Sequence, residues 1–118
     1  MAVRNGAYIK TQVDPFATLI EWTALSAGDT AQWMMLGHYN DKCVQVYGTF
    51  SAGATITFEG SNEDVPANGA PLTDPTQTVI SFTQVAIRQV LENPLFIRPV
   101  LAGGDGSTSL TVRVVCRQ

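Results

Sequence analysis

Charge is what this sequence has least of. Seven basic and ten acidic side chains make 14% of 118 residues, where a soluble domain averages about 25%. Lys10 and Lys42 are the only lysines, and Arg4, Arg88, Arg98, Arg113 and Arg117 stand far apart. No basic run exists to displace counterions from a phosphate backbone, so nucleic acid is not an expected partner. No apolar run approaches the about 18 residues that a spanning helix needs, so no membrane is expected either. A charged-then-apolar leader is also missing, which points to a protein made in the cytoplasm that stays there or leaves as part of something larger.

Histidine is nearly absent. His38 is the single one, within Gly37-His-Tyr-Asn-Asp41, and no Gly-x-Ser-x-Gly elbow accompanies it, which argues against nucleophilic hydrolysis. One histidine and two distant cysteines make no zinc set. The acidic residues Glu59, Glu63, Asp64 and Asp74 fit no calcium-loop spacing and read as solvated. Gly103-Gly-Asp-Gly-Ser107 lacks the lysine and the following helix of a phosphate loop, and reads as a turn. The expectation is therefore no enzyme, no metal and no cofactor. Cys43 and Cys116 are not expected to pair, because strand parity turns Cys43 outward and Cys116 into the core.

What is present is β-patterning. Ile20, Trp22 and Ala24 alternate with Glu21 and Thr23. Val44, Val46 and Phe50 share one face of the run 42–50. Ile56 and Phe58 alternate with Thr55, Thr57 and Glu59, and Leu110, Val112, Val114 and Cys116 share the inner side of the last strand. Turn residues separate these runs. Pro99 marks the run 95–101 as an edge or a bulge. Ile87, Val90 and Leu91 at i, i+3 and i+4, stopped by Asn93-Pro94, predict one short helix over 84–92, capped by Thr83. The predicted fold is an all-β antiparallel sandwich, jelly-roll-like or alternatively immunoglobulin-like, with that one helix. Residues 1–15 read as an N-terminal arm and 16–118 as the sandwich domain.

Several apolar residues have no obvious place in a two-layer core. Tyr8 and Ile9 dot the arm. Gln32–Leu36 is apolar on both faces, with Trp33 and Met35 on one and Met34 and Leu36 on the other, and such a strand needs two covers. Trp33 is compatible with core, interface or a sugar-stacking platform, while Trp22 reads as core. The loop 60–76 is long for a compact domain and carries Val65 and Leu72. Tyr8, Ile9, Trp33, Met35, Val65 and Leu72 are the candidate partner contacts. Scarce charge points the same way, since a free monomer usually carries more.

Four stretches, Thr55-Ile-Thr-Phe-Glu-Gly-Ser-Asn-Glu-Asp64, Pro71-Leu-Thr-Asp-Pro75, Asn93-Pro-Leu-Phe-Ile-Arg-Pro-Val100 and Gly103-Gly-Asp-Gly-Ser-Thr-Ser-Leu-Thr-Val-Arg113, resemble small structural proteins of tailed bacteriophages. The likeness is to the decoration or cement proteins of the head, and spans roughly residues 42–117. It implies a virion protein on the capsid exterior, bound to the major capsid protein at subunit junctions, and often a homo-oligomer (dimer or trimer). A carbohydrate-binding module and a tail or head-fibre component are the alternatives.

Overall fold

The computed structural model describes residues 2–10, 17–36 and 40–117. His38 and residues 11–15 of the expected arm lie outside them. Twelve strands follow in order: β1 Val3–Arg4, β2 Gly6–Lys10, β3 Ala17–Leu25, β4 Thr30–Ala31, β5 Met34–Met35, β6 Asp41–Thr49, β7 Thr55–Ser61, β8 Ala70–Pro71, β9 Ser81–Phe82, β10 Ala86–Val90, β11 Phe96–Ala102 and β12 Ser109–Arg117. They form an all-β sandwich. One sheet has the order β10-β6-β12-β3-β2 and the other β5-β11-β7-β8, with β9 also pairing β7; within both the pairing is antiparallel. A short parallel pair, β1 with β4, sits beside them.

Alternation builds the core. Ile20 and Trp22 on β3, Val44 and Val46 on β6, and Val112, Val114 and Cys116 on β12 face Ile56 and Phe58 on β7 and Ile97 on β11, all fully buried. Each such aliphatic or aromatic side chain contributes about 1.5–3 kcal/mol by leaving water. Phe58 meets Phe82 edge to face, with ring centroids 6.1 Å apart, the arrangement ring quadrupoles favour. The Trp22 indole N–H donates to the Gln32 carbonyl at 2.9 Å, so its one polar group is satisfied inside.

Two backbone irregularities mark where that alternation shifts or ends. The register of β3 against β12 slips between the Leu25–Leu110 and Trp22–Val112 pairs, with Ala24 at φ 55°. This bulge inserts one residue, so Thr23 and Ala24 are exposed and Leu25 returns to the core. Ala24 therefore does not extend the inward series of Ile20 and Trp22. Gly48 on β6 has φ 126°, and a Cβ there would collide with the Ser109 carbonyl, so only glycine fits.

The expected helix over 84–92 is instead β10, and the described residues contain no helix. Ile87, Val90 and Leu91 do not share a buried face: Val90 is buried, while Ile87 and Leu91 are exposed. Pairing of Ala86–Val90 with β6 satisfies the backbone, and Val85, Ile87 and Val90 suit a pleated strand better than a short exposed helix. Pro99 is tolerated because β5 pairs only Phe96 and Ile97, which leaves β11 with a single neighbour, β7, at Pro99. The edge reading holds locally. Over Gly6–Lys10 the expected arm is the outermost strand of the five-stranded sheet, paired along β3.

Candidate interaction surface

The register of the five-stranded sheet lines up its outward side chains. Ile9 opposes Leu19, Leu19 opposes Val115, Val115 opposes Cys43 and Cys43 opposes Gln89. Four apolar side chains thus form one row across β2, β3, β12 and β6. Ile9 is exposed, and Leu19, Val115 and Cys43 are half-buried. Cross-strand neighbours in such a row stand about 5 Å apart and present one continuous apolar strip. At its β6–β10 end the strip opens into a shallow groove lined by Asp41, Lys42, Cys43, Gln89, Val115 and Arg117.

The next row is Ala7, Glu21, Arg113, Gln45 and Ile87. Its two charges cancel each other: Arg113 Nε lies 2.6 Å from Glu21 Oε2, and the guanidinium carbon sits 5.7 Å from the Tyr47 ring centroid. Ile87 closes the row on the edge strand, 63% exposed. Ion pairs consume charge elsewhere as well. Arg4 pairs with Asp29, Arg88 with Asp74 and Arg98 with Glu59. Arg4, Arg88, Arg98 and Arg113 thus each stand against a carboxylate, and the charge left over is a small acidic excess, −3 for the chain.

The opposite sheet covers its charge pair. Arg98 and Glu59, cross-strand partners on β11 and β7, pair at 3.2 Å. The Arg98 guanidinium carbon lies 4.4 Å from the Trp33 ring centroid, and the backbone of Gly69 lies against the same indole. Carboxylates hold the loop that supplies Gly69. Glu63 Oε1 accepts from the backbone N–H of Ala67 and of Asn68, and Asp74 Oδ1 from that of Thr76 and of Thr78. Both carboxyls sit below their ordinary range, Glu63 chiefly through the Asn68 N–H and Asp74 chiefly through the Thr76 hydroxyl.

The six candidate contacts do not form one patch. Ile9 belongs to the apolar row. Tyr8, 54% exposed, bridges the two sheets at one side of the sandwich, its hydroxyl donating to the Met35 carbonyl at 2.8 Å. Met35 is exposed beside it. Val65 stands 81% exposed on the loop. Trp33 is half-buried under Arg98. Leu72 is a correction: it is 3% exposed and packs in the core, because β8 and the Leu72 N–H to Phe58 carbonyl bond turn that part of the loop into sheet. Sequence reasoning missed Leu19, Val115 and Ile87. The available signal was that each falls on the outward parity of its strand, as Cys43 does.

Cys43 and Cys116 are both free. Cys43 opposes Val115 and Cys116 opposes Lys42, so the thiols sit one step apart on opposite faces of the same sheet. Burial pushes the Cys116 thiol up to about 11, which keeps it protonated and unreactive at neutral pH. Among the described residues no group of three or more His, Cys, Asp or Glu is placed to hold a metal ion, and no helix is long and apolar enough to cross a membrane. No protein-family model, curated protein or solved structure matches this chain.

Proposed function

We propose that this chain is a structural virion protein that decorates and stabilises a tailed-phage capsid by binding the major capsid protein at subunit junctions. The observation that carries this reading is the apolar row Ile9, Leu19, Val115 and Cys43, set beside a charge pair, Arg113 with Glu21, that lies within the same face. A face of this kind suits a protein partner. It offers contact area with little charge to desolvate, whereas buried unpaired charge opposes association.

Stabilisation follows from mass action. A protein that binds the assembled shell and not its separated parts shifts the equilibrium toward the shell, and many weak sites sum over a particle. About 800 Å² per partner suffices for a specific contact, a fraction of the 6376 Å² this chain exposes. Association of the chain with itself, as a dimer or trimer, would multiply that contact. The carbohydrate-binding alternative finds little support at Trp33, where a guanidinium already occupies the ring face a sugar would need.

The test is co-sedimentation of the purified chain with undecorated heads of the phage that encodes it. Binding that is lost on Val115→Asp is the expected result. Failure of the unmodified chain to sediment with heads would end the capsid reading.

A further inference from the structure

Lys42 is out of place. It lies on the inward side of β6, two residues before Val44 and four before Val46, and is 1% exposed. Its neighbours across the strands are Val90 on β10 and Cys116 on β12, both buried. An ammonium ion in such a setting is costly unless it is well partnered. Among the described residues it is partnered by Asn93, whose Oδ1 accepts from Lys42 Nζ. Burial pushes the amine below its ordinary range, against the opposing fields of Cys116, Asp41 and Glu92. A desolvated lysine of this kind is a nucleophile.

The surroundings of Asn93 supply the rest of a reaction. Glu92 precedes it, with Oε1 accepting from the Thr73 N–H at 2.7 Å and Oε2 from the Thr73 hydroxyl. Burial works to raise this carboxyl, but those two bonds and the Lys42 charge outweigh it, so Glu92 stays ionised and within electrostatic reach of the amine. Asn93 is itself exposed, which gives a leaving group a way out. The residue after it is Pro94, which has no backbone N–H, so the usual competing attack on an asparagine carboxamide by the next peptide nitrogen is blocked.

We propose that Lys42 and Asn93 are joined by an intramolecular isopeptide bond, formed autocatalytically after folding and tying β6 to the segment that follows β10. Lys42 passes one proton, by way of solvent in the open cavity that Glu92 and Asn93 line, to Glu92 and becomes the neutral amine. Nζ attacks Asn93 Cγ, and the new C–N bond forms. The tetrahedral carbon then expels Nδ2. The nitrogen leaves as ammonium, carrying the proton shed by the attacking amine and the one Glu92 held, and Glu92 returns to the carboxylate. No oxidant, metal or cofactor takes part. A bond between residues 51 apart closes a long loop, the kind of cross-link that most restricts an unfolded chain. Such a staple suits a part that must survive on a particle.

The experiment is intact mass spectrometry of the purified, folded full chain under denaturing conditions, with a peptide map. The expected mass is about 17 Da below that of the sequence, the ammonia lost, with one branched peptide joining Lys42 to Asn93. Lys42→Arg and Glu92→Gln should restore the full mass. Asn5-Gly6 and Asn68-Gly69 can lose the same mass as succinimides, so the map decides between them. A folded chain at full mass after prolonged incubation would overturn the proposal. So would a loss of about 17 Da that maps to an Asn-Gly step or persists in Lys42→Arg. The unmodified protein alone settles the matter if the variants fail to fold.

Discussion

The outer faces of the two sheets differ in how they use side chains of similar size. On β10-β6-β12-β3-β2, Ile9, Leu19, Val115 and Cys43 share a row, and the ion pair beside them joins Arg113 to Glu21. On β5-β11-β7-β8, the Arg98–Glu59 pair stacks against Trp33, and the loop that carries Gly69 is pinned by Glu63 and Asp74. One face is built of groups that gain by being covered. The other stacks Trp33 against its charge pair and leaves Met35 and Val65 exposed outside any cross-strand row. Apolar area alone does not mark a contact surface; it matters whether the chain has already found that area a cover.

The largest effect should come from placing a charge in the open row. Leu19→Lys is expected to weaken capsid binding about 100-fold, roughly 2.7 kcal/mol, with thermal unfolding nearly unchanged because Leu19 points away from the core. Thr57→Lys, outward on the opposite sheet, should leave binding intact. Equal losses from both would erase the distinction between the faces. Trp33→Ala is the converse case. It should cost about 1–2 kcal/mol of folding stability, through lost cover and the lost Arg98 contact, and leave binding unchanged. Denaturant unfolding beside a binding titration separates the two effects.

These assignments show where the sequence was informative. The inward series on β6, β7 and β12 was legible because each strand alternates strictly, and parity alone placed Cys116 inside and Cys43 out. The β10 error arose from combining apolar residues of two faces into one helical period; a strand with Ile87 on its outer side yields the same spacing. The open row was hidden for a different reason. Ile9, Leu19, Cys43 and Val115 are far apart in the chain, and only the pairing register sets them side by side. Leu72 was misread because its loop returns to the sheet as β8. Lys42 drew no notice as a lone cation, although it shares parity with Val44 and Val46.

Acid should divide the halves more gently. The carboxyls of Glu63 and Asp74 are lowered in the folded state. Their contribution is therefore complete above their unfolded values of 4.5 and 3.8 and is lost as pH falls through the lower folded ones. Hydrogen exchange should show the 62–78 segment losing protection below about pH 4 before β3, β6 and β12 do. Simultaneous loss across both sheets would mean that the loop is not held by its carboxylates.

Orientation on the particle tests the central claim most directly. Density for the decorated head, resolved well enough to place each sheet, should set Ile9, Leu19, Val115 and Cys43 against the shell, with the Trp33–Arg98 side facing solvent. A chain seated the other way round, with that row in open water, would contradict the account.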